Sequence, residues 1–361
     1  MSQAHPAEGG ASYAGAGVDI EAGDRAVELM KEWVKKTQRP EVAGLGGLGG
    51  FAGLFDASAL KRYERPLLAS ATDGVGTKVD IARQMGVYDT IGHDLVAMVM
   101  DDIVVCGAEP LFMTDYICVG KVHPERVAGI VKGIAEGCVL AGTALVGGET
   151  AEHPGLLSPD DFDVAGAGTG VVEADRLLGP DRIREGDVVI AMASSGLHSN
   201  GYSLVRHVLF DRAGMSLDAH VEELGRTLGE ELLEPTRIYS LDCLAVTRTT
   251  EVHAFSHITG GGLAANLARV IPDGLHATVD RGTWTPGAVF DLVGTAGAVE
   301  RLELEKTLNM GVGMMAVVPE TSVDVALTTL ADRGVDAWVA GRIVARGDHA
   351  GGAELTGGYA R

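Results

Sequence analysis

Residues 71–78 contain a carboxylate, two glycines, hydroxyl groups and an ammonium group within eight positions. Asp73 can ligate Mg²⁺ through oxygen, the ligand atom that hard cations prefer. Gly74 and Gly76 let backbone N–H groups approach an anion, and Lys78 can supply a point positive charge to phosphate. Together these groups predict a site for a metal-bound polyphosphate, although their order differs from the Walker A loop. Considered alone, the stretch also fits a plain turn after an apolar strand.

Three acidic residues interrupt an otherwise apolar helix that we predict at residues 92–106. The spacing of seven places Asp94 and Asp101 nearly on one face, with Asp102 close by. Carboxylates in such an apolar setting are costly unless they are paired or bind a metal. A solvated stripe or a surface ion pair is the alternative. Because both flanks are apolar, we predict that at least one of the three ligates a metal.

Glu149 follows a short predicted strand at residues 145–148. The end of a strand is a common position for a ligand-binding group, although a solvated turn glutamate is the simpler interpretation of this residue alone. Combined with Asp73 and the helix carboxylates, it completes a set suited to one or two hard cations.

Two segments rich in glycine and small polar residues join predicted strands to helices, at residues 194–201 and 257–262. Polar residues in the first segment can cap the following helix and expose N–H groups to an anion. Three glycines in the second are more than a turn requires, which favours ligand contact. His198 and His257 are acid/base candidates beside these segments, although a lone histidine is more often structural.

The glycine-rich run at residues 44–50 formally matches Gly-x-Gly-x-x-Gly. It follows a helix and Pro40 rather than a strand, so it is weak support for dinucleotide binding. The run fits a flap that closes over phosphate, and a flexible linker is the alternative.

Composition limits the classes of protein that this chain can represent. Its 361 residues suffice for two domains, and 46% hydrophobic with 22% charged residues is typical of a globular protein. A net charge of −21 argues against a nucleic-acid or anionic-membrane binder. The four cysteines form no Cys-x-x-Cys pair, and no run is long enough to cross a membrane, so we expect a cytoplasmic protein.

These candidate residues require elements that position them. We predict two α/β (or α+β) domains, at 13–174 and 175–346, with a polar boundary segment at 175–186, a mobile N-terminus at 1–12 and a loose tail at 347–361. Periodicity and turn residues predict helices at 24–39, 92–106, 124–141, 261–270 and 322–333, with another after Asn200, and strands at 67–71, 110–119, 145–148, 164–172, 187–194, 276–280, 311–318 and 337–344.

Taken together and in this order, the motifs resemble those of the phosphoribosylformylglycinamidine cyclo-ligase (aminoimidazole ribonucleotide synthetase) family over about residues 13–344. Each motif is weak alone, and the full set in register is specific. The motifs are AGVDI at 16–20, TDGVGTK at 72–78, HDLVAM at 93–98, GAEPLF at 107–112, GGETAE at 147–152, GLHSNGYSLVR at 196–206, PTRIY at 235–239, TGGG at 259–262 and GVGM at 311–314.

The resemblance implies an ATP-dependent ring closure in the fifth step of purine synthesis. In this reaction ATP activates the formyl amide oxygen of formylglycinamidine ribonucleotide, and attack by the amidine-side nitrogen expels phosphate and forms the imidazole ring. It also implies bound Mg²⁺, with a K⁺ requirement left open, and a homodimer. The N-terminal halves would form a β-barrel-like core with ATP near the interface, and the C-terminal half would bind substrate and nucleotide.

Residue by residue, the resemblance assigns Asp73, Asp102 and Glu149 to metal, with Asp94 and Asp101 as further candidates. It implies catalytic roles for Asp73, Lys78, His198 and His257. The implied nucleotide-binding residues are Gly47, Gly49, Gly50, Thr72, Gly74, Val75, Gly76, Thr77 and Lys78. The implied substrate-binding residues are Ser199, Asn200, Gly201, Thr259, Gly260 and Gly261.

This chain departs from the family pattern at Ala14, Asp101 and Met310, where Lys, Asn and Cys are usual. Sister activities that share the metal-ATP carboxylates are formylglycinamidine synthetase, selenophosphate synthetase, thiamine-phosphate kinase and a hydrogenase-maturation enzyme. The absence of any cysteine before Cys106 disfavours selenophosphate synthesis. A nicotinamide oxidoreductase has only the misplaced glycine run in its support, and a nucleotide-binding regulator without turnover is disfavoured by the intact carboxylate set.

Overall fold

The N-terminal half of the chain forms one four-stranded sheet with helices packed on one face. The computed structural model describes residues 14–42 and 52–360. The elements of this half are α1 (Ile20–Lys36), β1 (Pro66–Gly74), α2 (Lys78–Met85), α3 (Asp89–Val104), β2 (Glu109–Val119), α4 (Pro124–Ala141), β3 (Ala144–Glu152) and β4 (Phe162–Glu173). The strand order is β1-β4-β2-β3, in which β2 and β3 are parallel and the other neighbours are antiparallel.

Helices α3 and α4 cover the inner face of this sheet and cross each other at close range. A Cβ atom on Gly92 of α3 would lie 2.0 Å from the backbone nitrogen of Ile134 in α4. A glycine is therefore required there for the two backbones to meet. Helix α4 begins with Pro124 in its first turn and ends before Gly142, whose φ of 69° is left-handed.

The outer face of the same sheet carries side chains that alternate with the buried ones. In β1, Leu68 and Thr72 are exposed on this face, and the register across β4 places Leu68 level with Glu109 and Thr72 level with Thr114 of β2. Tyr116 lies two residues beyond Thr114 on the same face of β2. Leu68 is 63% exposed and Tyr116 is 41% exposed. Large apolar groups are thus left in contact with water on one face of the sheet.

The C-terminal half is built on a six-stranded sheet flanked by helices. Its elements are β5 (Val188–Ala193), α5 (Tyr202–Arg206), β6 (His220–Val221), β7 (Arg226–Thr227), α6 (Leu228–Leu232), α7 (Ser240–Thr249), β8 (Ala254–His257), α8 (Gly262–Ala268), β9 (Leu275–Asp280), α9 (Ala288–Gly297), α10 (Arg301–Thr307), β10 (Val312–Val318), α11 (Val323–Asp332), β11 (Ala337–Ala345) and β12 (Ala353–Thr356). The order is β12-β9-β11-β5-β10-β8, antiparallel except for the β12–β9 pair, and β6 pairs only with β7.

The two halves share a continuous apolar core. One buried cluster includes Val96 and Ile134 from the N-terminal helices together with Tyr202, Val205 and Phe290 from the C-terminal half. Two smaller clusters lie on the faces of the six-stranded sheet. None of the helices within residues 14–42 and 52–360 is long and apolar enough to cross a membrane.

The α/β (α+β) class predicted from the sequence is confirmed, and most element bounds agree within a few residues. Helix α1 begins earlier than expected, because Asp19 rather than Asp24 caps it by accepting a hydrogen bond from the Ala22 N–H. The expectation of a loose tail at 347–361 is wrong for residues 353–356, which form β12 and pair with β9. The predicted mobile segment at 1–12 and the glycine run at 44–50 lie outside the described residues.

Candidate active site

Asp94 and Lys78 form a buried ion pair between α3 and the start of α2. Both side chains are 0% exposed, and Lys78 Nζ lies 2.9 Å from Asp94 Oδ1. The same Oδ1 accepts hydrogen bonds from Thr236 N at 2.8 Å and from Thr236 Oγ1 at 2.6 Å. Asp94 Oδ2 is buried without a hydrogen-bond partner in the described parts of the chain.

Lys78 also donates to two backbone carbonyls of the C-terminal half, those of His198 at 3.0 Å and Glu234 at 2.7 Å. Three acceptors saturate the three N–H donors of an ammonium group. Lys78 is thus paired with protein acceptors in this structure; its contact with phosphate, its catalytic role and metal ligation by Asp94 stay predictions. The sequence alone could not reveal that the side chains of Lys78 and Asp94 pair with each other.

Asp101 joins the same helix to the C-terminal half at a second point. Its carboxylate accepts hydrogen bonds from Tyr239 N at 3.0 and 3.1 Å and from Ser240 Oγ at 2.8 Å. It thus caps the N-terminus of α7, where a negative charge is favourable. Burial raises the pKa of Asp101 to about 6, against the opposing effects of the His257 charge and these hydrogen bonds. Asp101 is fully buried and held by protein donors, and the prediction that it binds metal stays a prediction.

Asp102 has a different environment from its neighbour, since its side chain is 44% exposed. Its Oδ1 lies 2.8 Å from Nδ1 of His257, the last residue of β8. Burial alone would lower the pKa of His257, but the Asp102 hydrogen bond and the charges of Asp101, Asp102 and Asp73 outweigh it and raise that pKa. His257 Nε2 is buried and has no hydrogen-bond partner among the described residues. In its protonated form His257 therefore has one N–H held by Asp102 and a second one available.

Asp73 lies at the end of β1 on the same inner face of the sheet. The Gly74 N–H donates to its Oδ1 at 2.7 Å. Burial is the main cause of its raised pKa; the Gly74 hydrogen bond opposes the shift, the Asp102 charge adds to it and the His257 charge reduces it. The structure thus brings three predicted site residues, Asp73, Asp102 and His257, into one electrostatic cluster across the two halves.

Glu149 does not join this cluster within one chain. Asp73 is level with Gly166, Asp115 and Gly148 across the sheet, so Glu149, one residue further, projects from the outer face. It lies there directly opposite Tyr116 and is exposed.

The loop after β1 has the form expected for an anion-binding turn. Gly76 has a φ of 74°, which favours glycine. Val75 is buried and anchors the loop in the core. Thr77 occupies the N-cap position of α2, and its Oγ1 lies 3.2 Å from Ser203 Oγ in α5. The loop therefore exposes its backbone between the two halves, next to Asp73. Thr72, by contrast, is exposed on the outer face.

The two glycine-containing segments of the C-terminal half lie side by side. A Cβ atom on Gly260 would lie 3.3 Å from Asn200 Oδ1. Gly261 and Gly201 both have left-handed φ angles, 98° and 83°. Ser199 is buried, with Oγ 3.0 Å from Thr236 Oγ1, so it has a structural contact.

Asn266 shapes the 259–262 turn, and sequence reasoning missed it. Its Nδ2 donates to the carbonyls of Thr259 at 3.1 Å, Gly260 at 3.3 Å and Gly262 at 2.8 Å. Thr259 Oγ1 donates to its Oδ1 at 3.3 Å. An asparagine inside a helix, four to seven residues after a glycine turn, was the available signal.

His198 is held in a strained, left-handed backbone conformation with a φ of 63°. Its Nε2 accepts a hydrogen bond from Ser195 N at 3.2 Å, which leaves the proton of the neutral ring on Nδ1. Burial, with the positive charges of His257, Lys78 and Arg237, lowers its pKa well below the usual value. Nδ1 is buried without a hydrogen-bond partner in the described ranges. The same environment thus lowers the pKa of His198 and raises that of His257, so His198 is the neutral donor of the two.

Tyr239 and Gly313 pack against His198, and the sequence alone gave neither residue a role. Tyr239 donates its hydroxyl hydrogen to the carbonyl of Ala193 at 2.7 Å. A Cβ on Gly313 would lie 2.2 Å from the Tyr239 hydroxyl and 2.5 Å from His198 Cε1. These contacts join residues that are far apart in the sequence, so residue spacing could not predict them.

Replacing Lys78 with Met is expected to lower the free energy of unfolding by about 3–5 kcal/mol, because Asp94 is left buried and uncompensated. Thermal and urea denaturation measure this change. Lys132→Met is the matched control, since the Lys132–Asp89 pair is partly exposed and its loss is expected to cost about 0–1 kcal/mol. A Lys78→Met protein that melts like the unmodified chain but binds ATP poorly would support the phosphate-contact hypothesis.

Replacing Asp102 with Asn is expected to lower the pKa of His257, measured by NMR titration of histidine Cε1–H resonances. The raised pKa means that the interaction stabilises the fold below the unfolded-state pKa of about 6.5, and that this contribution is lost as pH rises through the folded-state pKa. Asp211→Asn, which removes the exposed partner of His207, is the control and should leave His257 unchanged. An identical His257 titration in Asp102→Asn would contradict the assignment.

Comparison with solved structures finds proteins that share the fold of this chain. A thiamine-monophosphate kinase from Stenotrophomonas maltophilia K279a superposes with a TM-score of 0.67 at 18% identity, covering 92% of this chain and 97% of that one. The hydrogenase maturation protein HypE in complex with ATP gives a TM-score of 0.61 at 18% identity, covering 94% and 93%. At such identities the likeness concerns the fold alone.

Sequence comparison is more specific. Residues 55–172 match the N-terminal domain of AIR synthase related proteins, and residues 184–353 match the C-terminal domain. Phosphoribosylformylglycinamidine cyclo-ligase of Geobacillus kaustophilus (strain HTA426) is 51% identical over 92% of this chain and 95% of its own length. The protein of that name from Anaeromyxobacter sp. (strain Fw109-5) is 52% identical over the same shares. The chain belongs to the phosphoribosylformylglycinamidine cyclo-ligase family.

Proposed function

We propose that this chain catalyses the ATP-dependent ring closure of formylglycinamidine ribonucleotide to aminoimidazole ribonucleotide, with release of ADP and phosphate. The observation that carries the proposal is the 51% identity to cyclo-ligases over 92% of the chain. The kinase and HypE structures share its fold at only 18% identity, which does not support transfer of their activities. The reaction is the fifth step of purine biosynthesis.

The cleft between the two halves supports this chemistry. It combines the carboxylates of Asp73 and Asp102, the imidazolium of His257 and the backbone turns at 74–77 and 259–261. Backbone N–H groups and an imidazolium can bind phosphoryl oxygens, while carboxylates can bind the metal that accompanies ATP. Catalysis then consists mainly of positioning and of neutralising the transferred phosphoryl group.

Asp73 and Asp102 suit Mg²⁺ as ligands. Both offer carboxylate oxygens, and the raised pKa of Asp73 means that its ionised form lacks compensating charge in the protein alone. Bound Mg²⁺ would supply that charge and neutralise the phosphates of ATP. Whether K⁺ is also required is decided by assay in K⁺ and in Na⁺ salts at constant Mg²⁺.

In the proposed reaction, transfer of the γ-phosphoryl group of ATP to the formyl amide oxygen turns a poor leaving group into phosphate. The amidine-side nitrogen then attacks the same carbon, the carbon–oxygen bond breaks and the imidazole ring forms. His257 can donate its Nε2 proton to a phosphoryl oxygen while Asp102 holds Nδ1. His198 stays neutral and can donate a hydrogen bond from Nδ1. Asn200 and the 259–261 turn are proposed to bind the ribose or phosphate of the substrate.

We further propose that the chain forms a homodimer through the outer face of the N-terminal sheet. Two four-stranded sheets that meet through this face would close a barrel-like core and bury Leu68 and Tyr116. Glu149 and Thr72 project from the same face, so a dimer would place them at the interface with the partner subunit. The acidic surface and the four free cysteines support a cytoplasmic enzyme that binds neither nucleic acid nor membrane.

Asp73→Asn is expected to reduce turnover by at least about a hundredfold while the protein keeps its melting temperature, because a metal-binding charge is removed from a half-buried position. The assay follows ADP together with diazo-coupled aminoimidazole. Asp24→Asn, on the exposed surface of α1, is the matched control and should keep full activity. Normal turnover by Asp73→Asn would remove this residue from the metal site, and ADP formation without aminoimidazole would indicate a sister activity.

Leu68→Lys is expected to convert the dimer into monomers, because it places a charge in the middle of the proposed interface. Analytical ultracentrifugation measures the mass directly. Leu302→Lys is a matched control, since Leu302 is 62% exposed on α10 while Leu68 is 63% exposed on β1. A Leu68→Lys protein that sediments like the unmodified chain would exclude this face as the interface.

A further inference from the structure

Three potential metal ligands converge where the C-terminal segment folds back over β9. His276 belongs to β9, Glu354 to β12, and His349 to the turn between β11 and β12. One nitrogen or oxygen from each lies within 4.8 Å of the other two. The cluster is at the β12 edge of the six-stranded sheet, whereas His257 of the ring-closing cleft is on β8 at the opposite edge.

His276 has the environment of a metal-ligating histidine. The ring is 0% exposed, and its Nδ1 lies 3.3 Å from the carbonyl oxygen of Gly351. An Nδ1–H bond to a backbone carbonyl fixes the tautomer and leaves the lone pair on Nε2, the arrangement that orients metal-binding imidazoles. Nε2 is buried without a hydrogen-bond partner among the residues described, which is costly for a polar atom.

The distances between the donor atoms suit a small divalent ion. His276 Nε2 is 3.5 Å from Glu354 Oε1, and His349 Nδ1 is 3.0 Å from the same oxygen. Tetrahedral coordination with bonds of about 2.0–2.1 Å separates neighbouring donors by about 3.3 Å. His349 is 39% exposed, so a small rotation of its side chain can complete the set.

Simple ion pairing explains the cluster less well. A protonated His349 would account for the contact with Glu354, but it would leave His276 Nε2 buried without a partner. The two imidazole rings are stacked, with centroids 4.3 Å apart and planes 10° from parallel. The stacking holds both rings beside the same carboxylate, as binding of one shared ion requires.

We propose that His276, His349 and Glu354 bind one borderline divalent transition-metal ion, of the class represented by Zn²⁺. Two imidazoles and one carboxylate favour such an ion over Mg²⁺, which prefers oxygen ligands and retains its waters. Three protein ligands leave a fourth position for water. Because the ligands join β9 to β12 and to the turn before it, the ion would fasten residues 346–356 to the sheet.

The test is titration of the metal-free full-length protein with Zn²⁺ in competition with a chromogenic chelator. The expected result is tight binding of one equivalent of Zn²⁺ by the unmodified chain, and at least tenfold weaker binding by His349→Ala and by Glu354→Gln. These two ligands are exposed or half-buried, so their replacement leaves the core intact. His207→Ala is the matched control, since His207 also contacts a carboxylate, Asp211, at 3.1 Å but has only that one partner.

Hydrogen exchange of residues 346–356 provides a second readout. Zn²⁺ should slow exchange in the unmodified chain and leave His349→Ala unaffected, whereas excess Mg²⁺ should neither slow exchange nor displace Zn²⁺. Co²⁺ should give visible d–d absorption that is lost in His349→Ala. Equal Zn²⁺ affinity of His349→Ala and the unmodified chain, or an equal loss in His207→Ala, would overturn the proposal. Because the site lies apart from the cleft, this result does not depend on the outcome of the ring-closure assay.

Discussion

The buried carboxylates of helix α3 are the constraint on which the arrangement of the two halves depends. Asp94 and Asp101 can stay ionised inside an apolar core only when donors replace water around them. Those donors come from the C-terminal half, at Thr236 and at Tyr239–Ser240, and from Lys78, whose ammonium group also binds two carbonyls of that half. If the halves separated, each of these groups would lose its hydrogen-bond partners. The packing of the two halves is therefore determined by these buried hydrogen bonds as well as by the burial of apolar surface.

The active cleft follows from this docking. Asp102 is the next residue after the buried anchor Asp101, so fixing the anchor also fixes the direction of its neighbour toward β8. His257 then meets Asp102 across the boundary between the halves, and Asp73 lies close enough for the charges of these two residues to act on its pKa. Buried hydrogen-bonded residues thus control the geometry of the proposed site residues, which is the general function of a supporting shell of hydrogen bonds.

Sequence reasoning predicted the elements well because hydrophobic periodicity is a local property. The bounds 124–141 of α4 and the strands of both sheets were accessible from turn residues and alternation alone. The different roles of the three acidic residues on α3 could not be predicted from the sequence. Asp94, Asp101 and Asp102 share one residue type and one helix, and only contacts more than 130 positions away separate the two structural carboxylates from the one in the cleft. The prediction of a loose tail was wrong for a similar reason, since β12 forms by pairing with the free edge of β9.

The charges of the cleft bear on the metal proposed to accompany the nucleotide. The carboxylates of Asp73 and Asp102 face the imidazole of His257, and Lys78 is paired with Asp94. A polyphosphate alone would therefore enter a negatively charged site in a chain whose net charge is already −21. A divalent cation that binds the carboxylates reverses this balance, and by linkage the nucleotide must strengthen cation binding by the same factor. In the proposed site, nucleotide affinity would then depend on the two carboxylates and their cation, while Lys78 holds Asp94 and two carbonyls of the C-terminal half.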